Sequence, residues 1–326
     1  MTTIKKIEIS DFFGRGDFEW DLDPEVNILG GKNGSGKSSI FRCCYNLLSG
    51  TAIKEAKYTP FADFFSQVRL TFTNDWSLSW KKIPVTNNES FLDYYQKVQE
   101  DSIRILDNCG VDRHFDDLKK EIQIFYLNSF EQRLSQVHQY ELERQSTRAI
   151  GDPILLDLMI KDQINIRNSS ISQMVGSLVG NPTDESDDSL KKFGIHFLSY
   201  GVIFRSLERF FVEYDKPFNN DFVFKKHGVD VGIEGLSTGE KQILLLLLMV
   251  SNTNKSPCIF FMDEPDLSMH IDWKEILIKE LHELNPNMQI ILSTHAPSVI
   301  TGWHDRVKEV EQLIRKRNNV DADHRI

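Results

Sequence analysis

The chain has 326 residues, of which 40% are hydrophobic and 26% are charged, and its formal net charge is -10. This is the composition of an ordinary globular protein with room for one large domain or two lobes. The acidic balance argues against a generally basic nucleic-acid-binding surface, and leaves room for a local basic patch or a DNA-binding partner. The longest apolar run, residues 243–250, is too short to cross a membrane.

The cysteines and the N-terminus indicate the compartment. Four cysteines, at positions 43, 44, 109 and 258, form no CxxC pair and no cluster with histidine. They are therefore predicted to be reduced thiols, and the N-terminus has no apolar stretch typical of a signal peptide. Together these features predict a cytoplasmic protein.

The N-terminal part is predicted to consist mainly of strands. Three come first, at residues 5–13, 17–22 and 25–29, and the third leads into a glycine-rich loop and a helix. Two further segments, 67–73 and 76–83, alternate apolar and polar residues and predict an antiparallel pair.

The middle of the chain is predicted to be mostly helical. Residues 90–108 have a helical pattern, 121–127 a buried-strand pattern, and 133–215 are rich in helix formers. The acidic stretch 181–189 is interpreted as a solvated loop rather than as a site for a metal or a basic partner. We interpret the region 133–225 as a helical insertion that contains this loop.

Helices and strands alternate in the final third. The predicted elements are a hairpin at 222–235, a buried helix at 236–250, a core strand at 258–262, an amphipathic helix at 271–284 and an apolar strand at 288–295. Strands that alternate with helices predict an α/β fold with a parallel sheet.

Residues 31–38, GKNGSGKS, match the phosphate-loop pattern G-x-x-x-x-G-K-[ST]. Glycines let backbone N–H groups point inward around phosphates, and the helix behind such a loop favours negative charge at its N-terminus. Lys37 is predicted to reach the β- and γ-phosphates of ATP, and the Ser38 hydroxyl to ligate Mg²⁺. The strand before the loop and the helix after it favour this interpretation over a flexible turn.

Residues 258–265, CIFFMDEP, predict a buried strand that ends in two carboxylates. Parallel α/β sheets bind ligands at the carboxyl ends of their strands. Asp263 is therefore predicted to hold Mg²⁺ through water, and Glu264 to polarise the water that attacks the γ-phosphate.

The segment LSTGEKQ, residues 236–242, precedes a leucine-rich helix. Ser237 and Glu240 have the spacing of a capping box, which alone would explain them. A capped helix N-terminus beside a glycine can also bind an anion, such as the γ-phosphate of a nucleotide held by a second subunit. Both interpretations can hold together.

These motifs, in this order, resemble the Walker A, signature and Walker B motifs of ABC-type ATPases of the SMC/RecF-like branch. The resemblance covers residues 1–50 and 225–310. It implies an α/β P-loop NTPase head with an N-terminal antiparallel β subdomain and a helical insertion. The division it implies is lobe I with Walker A at 1–132, the insertion or arm at 133–225, and lobe II at 226–326.

The resemblance also implies roles for single residues. Glu264, His295 and Lys37 would be catalytic, with His295, in STHAPS, sensing the γ-phosphate. The residues that bind the nucleotide would be Gly31, Asn33, Gly34, Ser35, Gly36, Lys37, Ser38 and Ser39, together with Ser237, Gly239 and Glu240 of the signature motif. Mg²⁺ would be held by Ser38 and Asp263, and by Gln132 if that residue is the family's glutamine after a strand.

Gln132 and Arg15 have two interpretations each, and His270 departs from the family's usual pattern. Gln132 fits an exposed polar residue at a helix start equally well. Arg15, in the glycine-flanked turn of the first hairpin, either contacts the nucleotide or is a solvated turn residue. His270 stands where many ABC ATPases end their D-loop with aspartate. The form EPDLSMH nevertheless resembles the RecF-like defence branch, so the segment 266–270 is still expected to cross the dimer interface.

The resemblance implies that ATP is shared between two chains. In the expected head-to-tail homodimer, or a higher oligomer, Ser237 of one chain closes over the ATP held by Lys37 of the other. The forms EPDLSMHIDW and STHAPSVITGW resemble ATPases of anti-phage defence systems, of the PtuA type in Septu and the AriA type in PARIS. These imply a separate effector, such as a nuclease or toxin, and no membrane partner.

Two other functions stay open on sequence grounds. One is a RecF-like DNA repair or recombination ATPase that grips DNA, against which the acidic balance and the short insertion weigh mildly. The other is the ATPase subunit of a transporter, which LSTGEKQ and the helical insertion fit poorly.

Overall fold

Two large sheets organise the part of the chain that the structure describes. The computed structural model describes residues 1–49, 64–82, 103–107, 109–112, 117–118, 122–128, 152–180, 201–215 and 222–316. Gln132 and the predicted acidic loop at 181–189 lie outside these described residues.

The strands are β1 (Ile4–Ser10), β2 (Asp17–Asp21), β3 (Val26–Gly30), β4 (Gln67–Phe72), β5 (Ser77–Lys81), β6 (Ile103–Leu106), β7 (Gln123–Asn128), β8 (Phe224–Lys226), β9 (Val229–Val231), β10 (Cys258–Asp263), β11 (Met288–Ser293), β12 (Val307–Glu309) and β13 (Ile314–Arg315). The helices are α1 (Lys37–Ser49), α2 (Asp152–Gly180), α3 (201–210), α4 (Thr238–Asn252), α5 (Ile271–Leu284) and the short α6 (Val310–Leu313). Within these ranges, none of the helices combines the length and apolarity that a membrane crossing needs.

The parallel sheet has the order β12-β3-β11-β10-β7, which confirms the predicted α/β fold. Every residue of β10 and β11 is buried, because helices cover both faces of the sheet. Phe260 packs in the cluster that includes α4 and α5, and its neighbour Phe261 packs in the cluster that includes α1. The carboxyl ends of β3, β10 and β11 therefore lie together at one edge of the sheet.

The second sheet is antiparallel and has the order β13-β2-β1-β4-β5-β6. The predicted pairing of 67–73 with 76–83 is confirmed as β4 against β5, with Gln67 opposite Lys81. Its outer strand β13 comes from the C-terminal part of the chain and pairs with β2. This long-range pairing was not predicted, because β13 is too short to leave a periodic pattern.

One predicted element is wrong. Within the helix predicted at 90–108, residues Ile103–Leu106 form strand β6, which pairs antiparallel with β5. Ile105 is buried and Arg104 is exposed, so the alternation of a strand is satisfied there. The open edge of β5 supplies the backbone partners, which outweigh the local helical preference.

Helix α4 lies at the centre of the larger core. Its residues from Ile243 to Val250 are buried, which confirms the predicted buried helix. Helix α2 packs along it through Leu156, Ile160 and Ile164. A salt bridge between Lys241 and Asp157 joins the starts of the two helices, with the charged atoms 2.7 Å apart and side-chain exposures of 4% and 13%.

We expect Asp157→Asn to lower the free energy of unfolding by about 3 kcal/mol, because it leaves the buried Lys241 ammonium without its counter-charge. Replacing both residues, as Asp157→Leu with Lys241→Met, should recover most of that loss. Urea denaturation measures both effects. Lys161→Met is the matched control, since its ion pair with Glu234 is exposed and should contribute less than about 1 kcal/mol. Equal losses of unfolding free energy in Lys161→Met and Asp157→Asn would contradict the role given to burial of the ion pair.

Candidate functional site

The glycine-rich loop after β3 has a backbone that only glycine adopts easily. Gly31 and Gly36 have φ of +140° and +104°. A Cβ at Gly36 would stand 2.6 Å from the Phe12 ring, so a side chain there would also clash. Helix α1 begins at Lys37, directly after the loop. The loop thus presents a helix N-terminus to the edge of the sheet, as phosphate binding requires.

Lys37 is held inside this loop. Its ammonium donates to the carbonyls of Gly31 at 2.9 Å and Lys32 at 3.3 Å, and only 5% of the residue is exposed. Burial lowers the pKa of Lys37, and the carboxylates of Glu264 and Asp263 oppose that shift. The lysine is therefore anchored by two carbonyl groups of its own loop.

The two predicted carboxylates stand at the end of β10. Asp263 is 1% exposed and accepts a hydrogen bond from the Ser293 hydroxyl at 2.5 Å. Glu264 has a left-handed backbone, with φ of 50°, and its N–H donates to the Ser293 carbonyl at 3.1 Å. A glutamate is rarely found in this conformation, which costs on the order of 1 kcal/mol and often marks a functional position.

His295 joins the two motifs. Its Nε2 lies 2.7 Å from the Lys37 ammonium and 3.2 Å from Oε1 of Glu264. With its proton on Nδ1, the imidazole can accept the lysine's hydrogen bond at Nε2. His295 therefore lies within 3.2 Å of the two other predicted catalytic residues, which come from separate segments of the chain.

A cavity of about 490 Å³ opens at this point. Its lining residues are Phe13, Asn33, Gly34, Ser35, Gly36, Lys37, Ser38, Ser39, Glu264 and His295. Phe13 was not predicted as a site residue. Its backbone is left-handed, with φ of 52°, and no sequence pattern indicated this conformation. Asp263 is not among the lining residues. The hydroxyl of Ser38 and the carboxylate of Asp263 are hard oxygen donors of the kind that Mg²⁺ takes from proteins.

Arg15 contacts the phosphate loop rather than standing free in solvent. Its guanidinium donates to the Ser35 carbonyl at 2.5 Å and lies 4.9 Å from the centre of the Phe12 ring. The residue is nevertheless exposed on its outer side. The turn that carries it is thereby fixed to the rim of the nucleotide-sized cavity.

The start of α4 has the predicted capping box. The Ser237 hydroxyl accepts from the Glu240 N–H at 3.4 Å, and the Glu240 carboxylate accepts from the Ser237 N–H at 2.7 Å. A Cβ at Gly239 would lie 2.3 Å from the Ser268 carbonyl, so glycine allows this helix to abut the segment after β10. Ser237 is exposed, and within the described residues none of Ser237, Gly239 and Glu240 lines the cavity around Lys37.

The segment after β10 is held at both ends. Asp266 is buried, accepts a hydrogen bond from the Thr294 hydroxyl at 2.9 Å and forms an ion pair with Lys274 at 3.2 Å. His270 caps α5, because its ring accepts from the Asp272 N–H at 3.5 Å. Capping gives a local reason for a histidine at this position.

Comparison with known proteins identifies a family for this chain. Residues 77–300 match the family described as AAA ATPase domain, a range that begins after the phosphate loop and includes α4, β10 and His295. A solved structure of an SMC head bound to the C-winged helix domain of ScpA is similar, with a TM-score of 0.55, 13% identity and 91% of each chain covered. That likeness establishes the fold alone.

Two curated relatives are similar over parts of their length. The chain is 27% identical over 178 residues to the retron Vc95 probable ATPase of Vibrio cholerae, covering 48% of this chain and 35% of the relative. It is 34% identical over 90 residues to the retron Ec83 probable ATPase of Escherichia coli, covering 24% of this chain and 17% of the relative. The chain thus spans about a third or less of these relatives. With well over half of its residues in the family match, and with the fold of an SMC head, this chain belongs to the AAA ATPase domain family and is an ATPase.

Proposed function

We propose that ATP binds in the cavity around Lys37 and is hydrolysed when a second copy of the chain closes over it head-to-tail. ATP binding then favours association, and hydrolysis favours release. The observation that carries this proposal is the position of the signature motif. Ser237 is exposed and lies outside the cavity that Lys37, Glu264 and His295 line. A second copy can therefore supply an exposed serine that does not line the cavity of its own chain.

Each residue of the cavity has a part in this proposal. Lys37 exchanges its carbonyl partners for phosphate oxygens, and the loop N–H groups surround the phosphates. Ser38 and Asp263 would hold Mg²⁺, whose charge offsets the negative charge that develops on the phosphate oxygens. Glu264 accepts the proton of the attacking water, and His295 orients the γ-phosphate from its place between Lys37 and Glu264.

Ser237→Arg tests the association. We expect the wild-type chain to double its mass with a non-hydrolysable ATP analogue, and Ser237→Arg to stay monomeric, because a long side chain fills the space for the γ-phosphate of the other copy. The variant should still bind ATP, since Ser237 does not line the cavity around Lys37. Light scattering after gel filtration measures the mass, and equilibrium binding measures the affinity.

Ser169→Arg is the matched control, because Ser169 is an exposed serine on α2. It should dimerise as the wild type does. A Ser237→Arg chain that dimerises normally would contradict the head-to-tail arrangement.

We further propose that association controls a separate effector, such as a nuclease or toxin, in a bacterial anti-phage defence system. Two bacterial relatives named as retron ATPases support this setting. The same proposal includes the predicted division of the chain after residues 132 and 225. In it, the insertion 133–225 is the arm that the effector binds. Co-purification with a nuclease encoded next to this chain would support it. ATP-dependent, salt-sensitive DNA binding by the isolated protein would support the RecF-like alternative instead.

A further inference from the structure

A second cavity, which we call the signature pocket, lies beside the capped start of α4. Its volume is about 550 Å³, within the range of pockets that hold a ligand or a partner's side chain. Its aromatic wall consists of Phe210, Phe211, Tyr214 and Trp273. The rings pack on one another, with the Phe211 and Trp273 centroids 6.3 Å apart and their planes 24° from parallel. The wall is therefore preformed.

The rim of the signature pocket is acidic. Glu213, Glu240 and Asp272 line it, and no lysine or arginine stands among the described lining residues. Glu213 and Asp272 are exposed, and a carboxylate can accept about four hydrogen bonds. Glu213 meets one cation, Lys226, at 2.6 Å. Burial raises the pKa of Tyr214, and its hydrogen bond to Glu240 adds to the shift.

Aromatic faces combined with carboxylates suit one kind of ligand. A guanidinium stacks on aromatic rings and binds carboxylates through its planar fork of N–H donors. The three acids favour a cationic side chain over an anionic one against the aromatic wall. The signature pocket therefore fits an arginine side chain, and the question is which chain provides it.

The head-to-tail arrangement supplies a candidate. It brings the phosphate-loop face of one copy against the face that carries Ser237, and Ser237 itself lines the signature pocket. On the phosphate-loop face, Arg15 is exposed and fixed at the cavity rim by the Ser35 carbonyl. Among the described residues this is one hydrogen bond, and a guanidinium has five N–H donors. Each chain carries a net charge of -10, so contact between two copies gains from a cation placed against this acidic rim.

We propose that the signature pocket of one copy receives the Arg15 guanidinium of a second copy when ATP brings the two together. The inference rests on the proposed function, because it needs the head-to-tail dimer. Arg15 then has two partners: the phosphate loop of its own chain and the aromatic, acidic pocket of the other. Because Arg15 is held by the phosphate loop, the contact links ATP in that loop to closure of the dimer.

Two complementary charge reversals test the proposal. In Arg15→Glu homodimers, glutamate would face the acidic pocket, and in Glu213→Arg homodimers, arginine would face arginine. Each should dimerise about 10-fold or more weakly than the wild type with the ATP analogue, because like charges in an interface cost several kcal/mol. An equimolar mixture should form heterodimers, since one interface then pairs the introduced glutamate with the introduced arginine and the other keeps the natural pair. Lys279→Glu is the control for the change in net charge, because Lys279 is an exposed lysine on α5 that lines neither cavity. It should dimerise as the wild type does.

The readout is the dimer fraction, from sedimentation of differently labelled chains, together with the ATP affinity of each monomer. Heterodimers without homodimers support the proposal. Normal Arg15→Glu homodimers overturn it. An equimolar mixture of the two variants that stays monomeric also overturns it. If the Arg15→Glu monomer then binds ATP more weakly, Arg15 contacts the nucleotide of its own chain instead. If wild-type protein itself stays monomeric with the analogue, the head-to-tail function fails rather than this contact alone.

Discussion

Glu264→Gln is expected to lower the steady-state ATPase rate by about 10²–10⁴-fold while ATP remains bound. An amide is nearly the same size as a carboxylate but cannot accept the proton of the attacking water. The side chain of Glu264 lines the cavity and lies within 3.2 Å of His295, which suits this role. Dimers that form with ATP should persist, because the step that releases them is blocked. Phosphate release measures the rate, and gel filtration with ATP measures the dimer.

The matched control for this experiment is Glu275→Gln, at an exposed carboxylate on α5. It changes the same functional group and the same net charge away from the cavity, so the rate should stay near that of the wild type. If Glu264→Gln hydrolyses ATP at the normal rate, Glu264 is not the proton acceptor.

Lys37→Ala is expected to weaken ATP binding by about 10–100-fold, the loss associated with hydrogen bonds to a charged partner. The variant removes the cation at the centre of the loop and leaves the carboxylates of Glu264 and Asp263 without it. Those negative charges would then repel the phosphates. Titration with a fluorescent ATP analogue measures the affinity.

Lys32→Ala provides the comparison, because Lys32 belongs to the same loop but its side chain is exposed. It should bind ATP within a few-fold of the wild type, since exposed charges are screened by water and salt. Unchanged affinity in Lys37→Ala would contradict the assignment of this loop to the phosphates.

Local patterns predicted much of the fold correctly. The hairpin of β8 and β9, the buried helix α4 and the strand β10 all follow from periodicity and from short turn signals. Local patterns also caused the error at β6. This edge strand forms because it pairs with its neighbour β5, and its own residues do not indicate that pairing. The pairing of β13 with β2 depends on a contact between opposite ends of the chain.

The contiguous parts of the candidate site were predictable from the sequence: the glycine loop, the two carboxylates at the end of β10 and the capping box at Ser237. Each of these motifs lies within a few residues, where backbone geometry and hydrogen bonding are local. Which of these parts meet in space became clear from the three-dimensional fold. It brought His295 to Lys37 and Glu264 and placed Ser237 outside their cavity. It also assembled an aromatic, acidic pocket beside Ser237. The physical reason is that such contacts depend on the packing of α3, α4 and α5 against one sheet, and distance along the chain carries no information about that packing.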